Sequence, residues 1–370
     1  MLGDLTLQRA YYHCAACKKG YCPRDRALGM QHNPVSPGVL RMLGSVAAEV
    51  SFETSSGLLW DLAGLRIDPK QVERIAERFG VEMAEDERQD TTPFADGDLP
   101  PTLYLSMDGS GIPVRPEEWV GRAGKQADGK AQTREGKLVI LWSAESRDEE
   151  GLPVRDPGSI TYSAALESAA TLDTGEYPSE FAERVQREAV RRRFTEAHRM
   201  VVVADGAKYN WSVASELFPN AIQILDRCHA KEHLNEVANA IYGKGSREAE
   251  QWASLRKDEL DGEHVEKLPA ALNEHADEHA DMCKEAKTCV GYVERNRHRI
   301  RYLEFEAIGL CTTSNILVES GCKVIFTTRF KHSAMHWSVL GANKILAIRC
   351  YKRSGRFEGF FERRSQHKAA

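Results

Sequence analysis

No stretch of the 370 residues approaches the roughly 18 uncharged apolar residues that a membrane-spanning helix needs. Residues 1–10 carry neither the basic leader nor the apolar core of a secretory signal, so a cytoplasmic protein with no membrane partner is expected. Cysteine is scarce and uneven. The nine residues are an odd number, and Cys14, Cys17 and Cys22 are crowded at one end, which excludes the paired framework of a small secreted domain. With 42% apolar and 28% charged residues, the composition also excludes a disordered tail or a fibre. An overall excess of positive charge is missing as well: 50 Lys and Arg stand against 55 Asp and Glu, a net charge of −5 that taken alone speaks against a nucleic-acid partner. That sum conceals an asymmetry. Residues 323–364 hold ten Lys or Arg and two acids, Glu358 and Glu362, a local charge of about +8 that suggests an anion-binding C-terminal part.

Periodicity divides the chain. Residues 1–32 form a short cysteine-bearing segment, and residues 33–87 read as a helical DNA-binding or dimerising region. There Val39, Met42, Leu43 and Val46, then Val72, Ile75, Ala76 and Phe79, recur at helical spacing behind the Asp68-Pro69 cap. Residues 88–101 are acidic and rich in Thr, Pro and Gly, which predicts a linker. Strand patterns follow at 103–108, 137–142 and 160–163, a helix behind Ser179, a strand at 200–205, a helix at 212–218 and a strand at 222–226. Three strands, a helix, a strand, a helix and a strand is the order of an α/β, ribonuclease-H-like core with a mixed five-stranded sheet. The core is expected to span 102–230, broken by a helical insertion at 231–305, and to close with 306–370, where helices are predicted at 314–326 and 338–353.

In such a sheet chemistry gathers at the carboxyl ends of the strands. Asp108 lies on the first strand and Asp205 ends the fourth, and those strands are neighbours in this order. Glu319, on a helix beyond the fifth strand, would lean over the same edge. Three converging carboxylates repel one another unless cations neutralise them, and hard oxygen donors select Mg²⁺ or Mn²⁺. Two such ions suit phosphoryl transfer. The plainer reading makes Asp108-Gly109 and Asp205-Gly206 turn signals and Glu319 with Lys323 a helical ion pair.

Several stretches taken in order resemble bacterial insertion-sequence transposases of the ISKra type. They are Leu105-Ser106-Met107-Asp108-Gly109-Ser110-Gly111, residues 121–126, Val203-Ala204-Asp205-Gly206-Ala207, Asp226-Arg227-Cys228-His229-Ala230-Lys231-Glu232-His233, residues 292–297, Val318-Glu319-Ser320-Gly321-Cys322-Lys323, and residues 335–343. The resemblance implies a DDE transposase with Asp108, Asp205 and Glu319 as its metal-binding triad. It also implies an Asp-x-x-His element at Asp226 and His229, with His229 contacting a phosphate or orienting the second carboxylate. The chain departs from the family in having Cys228 where an aromatic residue is usual, in the longer loop before Glu319, and in lacking a cysteine knuckle upstream of Cys14.

Cys14 and Cys17, with Cys22 as third candidate and His13 or His32 as fourth, would hold a structural Zn²⁺ in a partial ribbon. Lys323, one turn past Glu319, would hold a scissile phosphate, and Arg329, Lys331, Arg349, Lys352 and Arg353 would track a DNA backbone. The partners expected are transposon-end and target DNA, with a homo-oligomer assembled on them. Two other readings share features with this one: a ribonuclease-H-like nuclease or resolvase, and a catalytically silent, transposon-derived DNA-binding protein.

Overall fold

The computed structural model describes residues 8–28, 30, 35–94, 97–119, 132–168, 178–262, 265–278, 283–314, 321–332 and 335–369. A small hairpin, β1 (Tyr12–His13) and β2 (Gly20–Tyr21), leads through α1 (Pro23–Ala27) to three helices. Each of the three starts where its cap dictates. Ser36 accepts from Val39 N–H ahead of α2 (Pro37–Ala47), and Ser51 accepts from Thr54 N–H ahead of α3 (Phe52–Ala63). Asp68 accepts from Lys70 and Gln71 ahead of α4 (Pro69–Gln89), where proline occupies the first turn and costs no hydrogen bond.

The central sheet contains β3 (Thr102–Pro113), β4 (Thr133–Trp142), β7 (Thr161–Ala165), β8 (Arg199–Ala204) and β9 (Ile222–Leu225). A separate two-stranded ribbon, β5 (Ser146–Arg147) and β6 (Pro153–Val154), lies between β4 and β7 in sequence. The sheet order is β7-β4-β3-β8-β9. Its first three strands in sequence pair antiparallel, whereas β8 joins β3, and β9 joins β8, in parallel. This is the mixed five-stranded α/β sheet expected from the element order, and it is compatible with a ribonuclease-H-like core. The parallel half explains the unbroken apolar run Val201-Val202-Val203: each is fully buried because helices cover both faces. The crossovers are α5 (Glu180–Arg191), capped by Ser179, and α6 (Lys208–Leu217), which begins four residues before the expected 212 because the chain turns into helix straight after Asp205 and Gly206.

Beyond β9 the described chain is helical: α7 (Arg227–Tyr242), α8 (Arg247–Asp261), α9 (Leu268–Glu278), α10 (Cys283–Asn296) and α11 (Tyr302–Ala307). A π-helical turn at Lys323–Thr327 runs into a helical turn at Thr328–Phe330, and the chain ends with α12 (Val339–Arg353) and α13 (Phe357–Ala369). No helix among the described residues is long and apolar enough to cross a membrane.

Where it is described, the segment 88–101 is held against the core. Its first two residues belong to the end of α4, Phe94 N–H donates to Arg191 O at 3.0 Å, and the Arg192 guanidinium covers the Phe94 ring at 4.3 Å. The basic C-terminal part is not a free cationic surface: six of its ten cations pair with acids, among them Lys344 with Glu77 (2.9 Å), Arg363 with Asp86 (2.6 Å), Arg364 with Glu82 (2.7 Å), and Arg349 with Glu49 (3.0 Å). Phe79 packs edge-on against Phe357 and Phe360 beneath them, within one continuous hydrophobic core.

One cluster of buried charges ties α4, α5 and the turn before α13 together. Glu188 is fully buried and accepts from Arg191 (2.7 Å) and Arg356 (3.1 Å), while Arg191 also bonds Glu87 at 2.8 Å. Burial alone would raise the Glu188 pKa, but Arg356 and Arg191 outweigh it and hold the carboxyl down at about 2. Because the folded pKa lies below the unfolded value of about 4.3, this stabilisation is present above pH ~4.3 and is lost as pH falls toward 2. Urea denaturation across pH 2–6 should show about 3 kcal/mol lost to this group at roughly 1.4 kcal/mol per unit. Glu188→Gln should be less stable at neutral pH, by an amount on the order of 3 kcal/mol for an unpaired buried charge, with a flatter acid limb.

Candidate active site

The parallel pairing of β3 with β8 places the first two acids level with each other. Leu105 is registered with Val202, an offset of 97 residues, and Asp108, midway along β3, and Asp205, directly after β8, continue the same offset (205 − 108 = 97). Ser106 Oγ donates to Val203 O, fastening the strands just below the acids. Asn210, fully buried on α6, spans the gap: its Nδ2 donates to Asp205 Oδ1 at 2.7 Å and to Met107 O at 3.2 Å. Ala207 N–H adds a further donor to Asp205 Oδ1 at 3.0 Å, whereas no described group donates to Oδ2. Residue 206 must be glycine here, because a Cβ would lie 2.0 Å from the Tyr292 ring of α10 that packs over the turn.

Both acids are half-buried. Burial raises the Asp108 pKa above the ordinary aspartate range and Asp205 adds to that rise, while the Cys322 thiol, Gly109 N–H and His229 oppose it. Cys322 Sγ donates to Asp108 Oδ2 at 2.9 Å, and Gly109 N–H donates to Oδ1 at 2.6 Å. The thiol reaches the carboxylate because Gly321 lies against the sheet. A Cβ on it would stand 2.5 Å from Ile140 Cδ1 and 3.4 Å from Leu138 Cδ2. The sequence presents Cys322 as a core filler; it is buried, but its thiol also serves the site. Nothing in its spacing announces that role, nor that of Asn210, since both depend on which strands become neighbours.

The other residues expected to do chemistry stand as follows. Glu319 lies outside the described residues, as do residues 121–126 and His32. His229 stands on the first turn of α7, half-buried, with Nδ1 3.0 Å from Glu232 Oε2. Lys331 Nζ donates to Ser110 Oγ at 2.6 Å, two residues beyond Asp108 on β3, so this cation does flank the acids, while Lys323 is exposed at the start of the π-helical turn.

Arg329 and Arg349 are corrected as backbone-tracking residues. Arg329 is fully buried, donates from Nε to Ala47 O at 2.9 Å and sits 4.9 Å from the Phe52 and Trp337 ring centroids, with burial lowering its pKa to about 10. Arg349, 1% exposed, donates to Val324 O at 2.7 Å and pairs with Glu49. Lys352 donates to Ser45 O at 2.9 Å and Arg353 pairs with Glu49, so both are occupied within the fold. In the N-terminal hairpin Cys17 N–H approaches Cys14 Sγ at 3.5 Å, as a metal knuckle would have it. Cys14, Cys17 and Cys22 are free thiols, and no group of three or more metal-ligating side chains gathers among the described residues.

Asp226 is a buried clamp. Oδ1 caps α7 by accepting from Cys228 N–H (2.9 Å) and His229 N–H (3.2 Å), and Oδ2 accepts from both the N–H and the hydroxyl of Ser314 at 2.6 Å. One carboxylate thus fixes the helix that carries His229 and the chain entering the segment that carries Glu319. Thr313 Oγ1 also donates to Oδ1 at 3.4 Å, so Asp226→Ala removes the acceptor of five donors and should cost about 3 kcal/mol or more by denaturant titration. Asp226→Asn, which keeps one acceptor oxygen, should fall between the alanine variant and the parent.

No protein-family profile matches the chain, and no curated protein does, so neither comparison supports the ISKra-type resemblance. Among solved structures the chain is similar to one in the Drosophila P element transposase strand transfer complex, with 11% identity and a TM-score of 0.29 over 92% of this chain and 83% of that one. A similarity that low carries no argument about fold or activity.

Proposed function

We propose that the chain is a DDE-type DNA transposase. The observation that carries this reading is the level placement of Asp108 and Asp205 on adjacent parallel strands of a β7-β4-β3-β8-β9 sheet. The donor set fits a hard divalent cation: two carboxylates side by side, Asp108 with its pKa raised by burial and by its neighbour, and Asp205 Oδ2 left without a donor among the described residues. Mg²⁺ or Mn²⁺ bound there would supply activation of the attacking oxygen and stabilisation of the leaving one. Glu319 is proposed as the third carboxylate. Chain reach keeps its Cα within about 11 Å of that of Cys322, whose thiol touches Asp108.

The chain's own groups set the geometry. Asn210 and Ala207 N–H fix the rotamer of Asp205, and Cys322 and Gly109 N–H fix that of Asp108. Lys331 stands where an ammonium would face a phosphate entering beside Ser110. In the first step an oxygen of water attacks the phosphorus of the phosphodiester at the element's end, the P–O3′ bond breaks, and the strand leaves as a 3′-hydroxyl opposite a 5′-phosphate. In the second, that 3′-hydroxyl attacks a target phosphodiester, forming a new P–O3′ bond and expelling the target's own 3′-oxygen. DNA is the partner, and a homo-oligomer on paired ends is part of the proposal.

The test is a strand-cleavage and strand-transfer assay with the element's flanking DNA and Mg²⁺. Asp108→Asn and Asp205→Asn should each abolish both products, by about a thousandfold or more if the carboxylates supply the several kcal/mol expected of metal-assisted chemistry, while DNA binding persists. Retained Mg²⁺-dependent cleavage in either variant overturns the assignment. Cleavage without strand transfer in the parent favours the nuclease reading, and binding with neither product favours the catalytically silent one.

A further inference from the structure

With six of the ten C-terminal cations paired with acids, a second concentration of positive charge lies elsewhere. Residues 295–301 read Arg-Asn-Arg-His-Arg-Ile-Arg, four arginines and a histidine in seven positions with no acid, in a chain of net charge −5. Three residues anchor the stretch inward. Asn296 is 2% exposed and donates from Nδ2 to Tyr292 O at 2.9 Å, and Ile300 and Tyr302 are 3% and 1% exposed. Arg299 lies flat against the Trp211 ring at 4.1 Å and donates to Gln223 Oε1 of β9 at 2.8 Å, which fastens the segment to the outer edge of the sheet.

Between these anchors Arg295, Arg297, His298 and Arg301 point to solvent. Arg301 pairs with Glu304 at 3.0 Å, but Arg295 and Arg297 form no ion pair among the described residues. Arg297, His298 and Arg301 help line an open cleft of about 710 Å³, together with the acids Glu266 and Glu304. The His298 imidazole is held below its ordinary value, by partial burial first and then by Arg299 and Arg301, as a locally positive field requires.

The same helix connects this surface to the acids. Tyr292 of α10 packs on Gly206, next to Asp205, and Asn296 lies about 6 Å further along at 1.5 Å per residue. That is about two nucleotides of one strand at 3.4 Å each. We propose that Arg295 and Arg297, with His298 and Arg301 beside them, form a phosphate-tracking surface that holds duplex DNA continuing past the carboxylates along the β9 edge. This rests on the transposase reading for what the DNA is doing there. The chemistry is that of a backbone contact: guanidinium groups on a rigid edge, with no arrangement that would read bases.

The experiment is a salt titration of binding to a duplex of arbitrary sequence, without divalent cation, between about 50 and 200 mM salt. Arg295→Gln/Arg297→Gln should make the slope of log K against log salt shallower by about 1.8, two contacts at 0.9 each, and weaken unrelated sequences alike. A comparison variant, Arg41→Gln/Arg353→Gln, removes the same charge from exposed arginines that already pair with Glu358 and Glu49, and should leave the slope unchanged. Equal slopes in the parent and the first variant, equal losses in both variants, or no duplex binding by the parent each overturn the proposal. Binding is read apart from cleavage. If the slope changes as expected and no cleavage occurs, the surface stands and the transposase reading falls. If the slope is unchanged and Asp108-dependent cleavage occurs, the transposase reading stands and the surface falls.

Discussion

Two carboxylates of like charge, held level on neighbouring strands, are the constraint that the rest of this molecule is arranged to maintain. The register of β3 against β8 creates it, and Ser106 and Asn210 keep the strands from slipping out of it. A one-residue slip would turn every side chain of a strand to the opposite face and separate the acids. Burial makes the pair costly: Asp108 is pushed above its ordinary range, and only a thiol, a backbone N–H and a nearby imidazole pull the other way.

Charge is handled differently elsewhere. The acids of α4 and its neighbours meet the cations of α12 and α13 pair by pair, so two regions that are far apart in sequence and opposite in sign become one helical layer over the sheet. The pairs at the rim contribute little individually, and the aromatic packing of Phe79 against Phe357 and Phe360 beneath them carries more of the association. A consequence is that six of the ten cations in the segment with the largest formal positive charge are paired within the fold, and a second concentration of cations lies at the β9 edge at residues 295–301.

The sheet was legible in the sequence because its signals are local: an alternating strand ending in Asp108, an unbroken apolar run ending at Ala204, and Ser179 and Asp226 at cap positions. The level placement of Asp108 and Asp205 followed from strand order. What was not legible required knowledge of non-local partners. Arg349 looks like any cation on a basic helix until Glu49, three hundred residues earlier, is seen to meet it. Cys322 reads as a small apolar residue until the close approach of Gly321 to Leu138 and Ile140 sets its thiol on Asp108. Segment 88–101 has the composition of a linker, and only the Arg191 and Arg192 contacts distinguish a strap from a tether.

The central claim is that a divalent cation binds between Asp108 and Asp205, and metal-directed backbone cutting tests it most directly. With Fe²⁺ in place of Mg²⁺, ascorbate and peroxide release hydroxyl radicals at the bound ion, and mass spectrometry locates the breaks. The account predicts cuts clustered beside Asp108 and Asp205 and in the segment that carries Glu319, all suppressed by excess Mg²⁺. Cuts confined to the cysteine hairpin, or scattered with no response to Mg²⁺, would contradict it.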